Sequence, residues 1–339
     1  MSQNPLSRRR FVSAAGVAAL GLPTSSLFAS GVPRIPVPAM SGAGAEAAAS
    51  EVPARRLYTV LSLGRIGFEA SFEKSVELAV KYGFEGVDPD PGYFAKLSDD
   101  ELRQALDGLK AKNLKLGAAG LPVEFREDEG AFSEGLKKLP TAARVLEKAG
   151  VTRVSTWIMP CSDELTYLQN FRAHACRLRA CAQVLGDHGQ RLGLEYVGPR
   201  TLWRSKRHPF IHCLSELKEL LVAVGTDNLG VQLDSFHWFN SEGTQDALET
   251  LRSRDVITVD LNDAPNLPLD KQQDGSRELP AATGVIPVKN FLSALLRIGY
   301  DGPIQAEPFN AALRALPIDQ ACAATAAAMK KALAEVGAA

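Results

Sequence analysis

Between Leu57 and Glu307 the chain alternates short apolar runs with longer segments of helical periodicity, and that alternation constrains its fold more than any other feature. The runs are Leu57–Leu63, Gly83–Asp88, Leu114–Ala119, Val151–Trp157, Arg191–Glu195, Leu229–Asp234, Val256–Asp260 and Pro303–Glu307. The amphipathic segments between them are Phe72–Lys81, Asp99–Lys112, Gly135–Ala149, Phe171–Leu185, Leu214–Val224, Thr244–Arg252 and Val288–Leu296. Period-2 or continuous apolar runs of this length read as buried strands, and the 3.6-residue period reads as helix. Gly83, Gly150 and Gly299 each follow a helical segment, where glycine tolerates the left-handed conformation that closes a helix. Eight such units over this length predict a closed (β/α)8 TIM barrel, an α/β fold. A doubly wound open sheet is the competing arrangement. It normally brings a Gly-rich phosphate turn after an early strand, and Leu61–Gly67 lacks that pattern.

The barrel is assigned to residues 55–335, and what precedes it has a different character. Residues 1–30 set Arg8, Arg9 and Arg10 ahead of a mildly apolar stretch that ends in small residues. This is the pattern of a twin-arginine export signal, so the expected location is periplasmic or exported and the export machinery is an expected partner. The stretch is broken by Pro23 and is too short and polar to be a stable membrane span. Residues 31–54 are mostly Ala, Gly, Pro and Ser and read as a disordered linker. A formal net charge of -1 without a basic stripe argues against nucleic acid as a partner. The five cysteines form no CxxC pair, and a homo-oligomer is compatible with the sequence.

In a barrel of this type, side chains at the C-terminal ends of the strands converge on one mouth. Glu195, Asp234, Asp260 and Glu307 end four consecutive strands. One such carboxylate is commonly a helix cap. Four crowded together repel one another unless some are protonated or a cation sits among them. A divalent ion meets that need, and oxygen-only ligands favour Mn2+ or Mg2+. Such an ion polarises a carbonyl or hydroxyl pair while a neighbouring carboxylate moves a proton from the adjacent carbon. Along an extended strand residues three apart face opposite sides, so spacing alone does not make Asp234 and His237 a chelating pair. His237 lies beyond the strand end, where the chain has turned and the side chain can reach over a bound molecule.

The motifs "LEYVG", "LDSFHW", "VDLNDAP" and "GYDGPIQAEPF" resemble the sugar phosphate isomerase/epimerase superfamily of xylose-isomerase-like barrels. That superfamily includes ketose 3-epimerases, inosose dehydratases and type IV apurinic endonucleases. The resemblance implies that Glu195, Asp234, Asp260 and Glu307 hold the metal and that Glu195 and Glu307 form the acid/base pair. Asp260 departs from the pattern, standing where the family has histidine, which implies either a harder metal or a weakened site. The resemblance also implies substrate contacts from His237 and Arg277. Asn262 and Asp263 are expected to orient the ligating side chains. Trp238, with Trp157 and Trp203, is a candidate wall for a sugar ring or a packing residue.

The resulting expectation is an enzyme that isomerises or epimerises a small-molecule carbohydrate, a non-phosphorylated sugar or keto-sugar, through an enediolate. The same constellation serves a lyase or dehydratase of keto-sugars or keto-glycosides. A non-catalytic carbohydrate-binding barrel is the reading from another class. Apurinic endonucleases use many more metal-binding histidines than the five present here.

Overall fold

Each of the eight apolar runs contributes strand to one curled, all-parallel sheet in the computed structural model, which describes residues 56–339. The expected export signal and linker lie outside the described residues. The strands are β1 (Tyr58–Leu61), β2 (Gly86–Val87), β3 (Lys115–Leu116), β4 (Ala119–Gly120), β5 (Arg153–Trp157), β6 (Arg191–Glu195), β7 (Leu229–Asp234), β8 (Val256–Asp260) and β9 (Pro303–Gln305). Their order is β3-β2-β1-β9-β8-β7-β6-β5-β4. The sheet counts nine strands because the third run divides. Its first half pairs with β2 and its second half with β5. Gly117 N–H still donates to Val87 O at 2.9 Å, and Leu121 N–H to Ser155 O at 2.9 Å. One stretch of chain thereby passes from one neighbour to the other and closes the eight-unit barrel.

The helices follow the predicted periods: Phe72–Tyr82, Glu129–Lys148, Tyr167–Asp187 and Val288–Arg297 reach beyond them, Leu214–Val224 matches, and the segment expected over Thr244–Arg252 is helical only from Gln245 to Glu249. Phe72–Tyr82 starts at Ser71, whose side chain caps Lys74 N–H, and ends at Gly83 with φ 73°. Gly150 and Gly299 take the same left-handed conformation, at φ 71° and 68°. Glu129–Lys148 begins six residues before its apolar period does, because Asp128 caps Ala131 N–H. Val288–Arg297 buries Val288, Phe291, Leu292, Ala294, Leu295 and Leu296, a broad apolar face.

Inside the barrel one irregularity sets the phase of the site. Val256 pairs with Val231 but Thr258 pairs with Gln232, so Ile257 is an extra residue in β8. It lies over Gly193 and Gly230, where an added Cβ would come within 2.8 and 2.9 Å of its side chain. The bulge turns Thr258 and Asp260 towards the lumen, in phase with Gln232 and Asp234 on β7.

Candidate metal and acid/base site

The lumen-facing positions of β6 to β9 carry two tiers of polar side chains. The lower tier is Gln232, Thr258 and Gln305. The upper tier is Glu195, Asp234, Asp260 and, two residues past β9, Glu307, all four buried. Each offers an oxygen within 4.8 Å of the others. Sequence reasoning places these four together and the structure does so. As a donor set, four buried carboxylates in one cluster fit a hard divalent ion.

The lower tier holds the upper one. Gln232 Nε2 donates to Glu195 Oε2 at 3.0 Å and to Asp260 Oδ2 at 2.6 Å. Gln305 Nε2 donates to Asp260 Oδ1 at 2.8 Å and to Thr258 Oγ1 at 3.0 Å. Asn262 acts from the side. Its Nδ2 donates to Asp234 at 3.2 and 3.3 Å, and its Oδ1 accepts Glu307 N–H at 2.8 Å. Asn262 thus ties the Asp234 carboxylate to the backbone of Glu307. Asp263 does something else. Its carboxylate accepts N–H groups from Ala264, Thr283, Gly284 and Ile286, which pins the Thr283–Ile286 loop and leaves the metal candidates to Asn262.

Two guanidinium groups enter the cluster. Arg277 Nη1 lies 2.7 Å from Asp234 Oδ2 and 3.0 Å from Glu307 Oε2, and Nη2 lies 2.8 Å from Asp274 Oδ1. Its side chain sits between Phe236 and Phe309, at 5.0 and 4.5 Å from the ring centres. Phe309 takes a strained φ of 44° to lie there. Arg277 was expected to touch substrate; at 1% exposure it instead pairs the buried carboxylates. Arg65, on the helical turn Leu63–Ile66 after β1, places Nη1 3.0 Å from Asp260 Oδ2 and 2.8 Å from Glu307 Oε1. Burial raises the Asp234 and Asp260 carboxyls above their ordinary range, Asp260 strongly, and the pull of Arg277 and Arg65 only partly offsets it.

His237 corrects the spacing argument. The chain turns helical at Ser235, in Ser235–Asn240, so three residues no longer mean opposite faces. His237 Nε2 lies 3.8 Å from Asp234 Oδ2, 3.3 Å from Glu195 Oε1 and 3.5 Å from Asp274 Oδ1. Glu195, Asp234 and His237 thus form a second possible ligand group. The Gly198 N–H donates to His237 Nδ1 at 3.2 Å, so the neutral ring carries its proton on Nε2. In that tautomer Nε2 is a donor towards Glu195 rather than a metal ligand, and the Arg277 Nη2 that stands 3.2 Å away is a packing neighbour. The expected reach over a bound molecule is not its placement, because the side chain is fully buried.

Trp238 is likewise away from the mouth. Its indole N–H donates to Thr244 O at 3.2 Å and its ring packs on Phe291, within the helical layer. Trp157 stacks against the Arg126 guanidinium at 4.5 Å, and Trp203 stacks on His212 at 4.5 Å. Sequence reasoning missed Arg65, Asp88, Asp274 and the two glutamines. Asp88 follows β2, accepts the Ser62 hydroxyl, and lies within the electrostatic reach of Arg65 and Glu307. It ends an apolar run as the other four do, and that signal was available. Asp274 lies in a long loop with no period to mark it.

Against known proteins, residues 76–332 match a family model described as a xylose isomerase-like TIM barrel. An inosose isomerase of Bacillus velezensis is 22% identical over 248 residues, covering 71% of this chain and 84% of that protein. A 3-dehydroshikimate dehydratase of Pseudomonas putida is 27% identical over 269 residues, covering 76% of this chain but only 39% of that protein. Among solved structures, a xylose isomerase domain protein from Alicyclobacillus acidocaldarius superposes with a TM-score of 0.73 at 29% identity, over 83% of this chain and 99% of that one. The IOLI protein with a bound zinc atom superposes with a TM-score of 0.70 at 19% identity, over 84% of this chain and 100% of that one.

Proposed function

The chain belongs to the xylose isomerase-like TIM-barrel family, and on that premise we propose that it is a metal-dependent isomerase or epimerase of a non-phosphorylated sugar or keto-sugar. The observation that carries this reading is the arc of four carboxylates with a glutamate at each end, Glu195 on β6 and Glu307 past β9. Two glutamates flanking a central space are the arrangement needed to take a proton from one face of a carbon and return one to the other. When bound by Glu195, Asp234, Asp260 and Glu307, a divalent ion, Mn2+ or Mg2+, supplies polarisation of the substrate carbonyl and makes the adjacent C–H acidic.

The chain's own residues do the rest. One glutamate removes the proton next to the carbonyl, leaving an enediolate, and the other protonates the opposite face. Gln232 and His237 hold Glu195 from below and from the side. Arg65 and Arg277 grip one oxygen each of Glu307. Held in this way, both carboxylates start near their working geometry. The similarity to a 3-dehydroshikimate dehydratase favours a second outcome of the same first step. The electron pair left by the proton forms a C=C bond, the neighbouring C–O bond breaks, and the departing oxygen takes a proton from the second glutamate. This would make the protein a lyase or dehydratase.

The test is elemental analysis of purified protein, then exchange of carbon-bound hydrogen in D2O on a panel of keto-sugars and keto-glycosides. We expect a bound divalent ion, exchange by the wild type, and loss of at least about 10²-fold in rate in Glu195→Gln and Glu307→Gln. Absence of any divalent ion with no rescue by Mn2+ would sink the metal mechanism. Ligand binding without turnover, unaltered in both glutamine variants, would point to a carbohydrate-binding barrel instead. Export through the twin-arginine route is part of the proposal and the reason for a non-phosphorylated substrate, since phosphorylated sugars are normally intracellular. Arg8→Lys with Arg9→Lys should trap precursor in the cytoplasm, and normal export of that variant would reject the assignment.

A further inference from the structure

We infer that Arg65 is a built-in counter-cation of the carboxylate site and that it weakens the site's hold on a divalent ion. The inference rests on the metal-dependent reading above and adds a residue that reading does not require. Its guanidinium does not stand outside the ligand cluster. Nη1 contacts an oxygen of Asp260 and an oxygen of Glu307, at 3.0 and 2.8 Å, and both belong to the set of four that converge within 4.8 Å. The other side of Glu307 is taken by Arg277, at 3.0 Å. The two arginines differ in exposure: the Arg277 side chain is wholly buried, whereas that of Arg65 is 22% exposed. Arg277 is thus enclosed, and Arg65 is the guanidinium of the two that keeps contact with solvent.

A positive charge this close to two ligand carboxylates acts twice against a second cation. It occupies lone pairs that an ion would use, and it repels the ion directly. Across a few ångströms at an effective dielectric of ~20, a unit charge facing a dication changes affinity by about tenfold or more. Asp260 is where this matters most, because Gln232 and Gln305 already donate to both of its oxygens from below. With Arg65 added, three protein donors compete with the ion for one carboxylate. Arg65 is accordingly a positioning residue in the metal-free protein and a competitor in the loaded one.

The experiment is Mn2+ titration by calorimetry and equilibrium dialysis, on full-length protein stripped by chelator, at one pH. Arg65→Gln should bind Mn2+ about tenfold more tightly than wild type or better, and Arg65→Lys, which keeps the charge, should stay within about threefold. If Arg65→Gln alone does not fold, the paired comparison uses Asp260→Asn against Asp260→Asn with Arg65→Gln, where the partner charge is removed as well. The double variant should again be the tighter binder. Equal or weaker binding on loss of the Arg65 charge, in a protein whose wild type takes up Mn2+, overturns this inference and leaves the metal mechanism standing. No uptake by any of these proteins overturns both.

Discussion

Replacing Arg277 with methionine tests whether the buried carboxylates depend on guanidinium charge when no metal is present. The side chain is 1% exposed and pairs with Asp234, Asp274 and Glu307 at 2.7, 2.8 and 3.0 Å. Methionine keeps most of the volume between Phe236 and Phe309, so the change removes charge and hydrogen bonds more than packing. Removing one member of a buried ion pair costs about 3–5 kcal/mol, because its partner is left uncompensated. A loss of about 4 kcal/mol corresponds to a fall in Tm on the order of 10 °C for a chain of this size. The loss should also depend on pH. Burial already raises Asp234, and the attraction of Arg277 pulls it back. Without that attraction the folded-state value rises further above the unfolded one. Such a group contributes stability below its unfolded value and loses it as pH rises through the folded one, so the deficit should be smallest in acid and grow towards neutrality. Urea unfolding in EDTA across pH 4 to 8, repeated with Mn2+, measures all of this. Saturating Mn2+ should narrow the gap, because the variant has lost a cation facing the carboxylates and so binds the ion more tightly, and bound ion stabilises the native state by RT ln(1 + [L]/Kd). A loss below about 1 kcal/mol at neutral pH in EDTA would refute the dependence on Arg277.

Two further outcomes follow from residues outside the cluster. Asp263→Ala strands the N–H groups of Thr283, Gly284 and Ile286. It should cost about 2–3 kcal/mol and speed amide exchange in that loop while Mn2+ affinity stays within about twofold, and a large affinity loss would restore a role for Asp263 at the metal site. His174, packed between Phe125 and Phe210, is pushed down to about 4 from 6.5 by burial. Its contribution is complete above pH 6.5 and drains away as pH falls towards 4, a loss of about 3 kcal/mol that His174→Leu should abolish in acid unfolding curves. An unchanged acid limb would assign that lability to other groups.

What the sequence made legible was whatever periodicity encodes. Strand runs ending in carboxylates gave Glu195, Asp234, Asp260 and Glu307 their common mouth, and helix-ending glycines gave the unit boundaries. What it hid depends on local departures from period. Asp234 and His237 were separated by assuming that the strand continued, whereas the helix beginning at Ser235 puts both on one side. The extra residue at Ile257 leaves no mark in the apolar run Val256–Asp260, yet it decides which face Asp260 takes. Trp238 as a wall for a sugar ring and Asp263 as an orienting residue are expectations that rest on where they fall relative to the strand ends. Their contacts instead serve the helix layer and a loop. Arg65 arises from a turn read only for its lack of a phosphate motif, and no spacing rule links it to partners 195 and 242 positions away.

The two tiers explain how such a site can fold before any ion arrives. Like charges at these distances would drive the strand ends apart, and the amides of Gln232, Gln305 and Asn262 act as neutral clamps that each bridge two groups. A bridging amide N–H is worth more here than in water, because these side chains are buried and an unmet carboxylate oxygen is costly. Exchanging one clamp for an acid, as in Gln232→Glu, would turn a donor shared by Glu195 and Asp260 into a fifth carboxylate among four. The cost of that exchange falls on the metal-free protein, which has only two guanidiniums in the cluster to set against the added charge. The geometry of Glu195 and Glu307, the proposed acid/base pair, is therefore a property of the folded chain, held by amides below and arginines beside. A divalent ion arriving at such a site would meet carboxylates already converged and would compete with the arginines and amides that hold them.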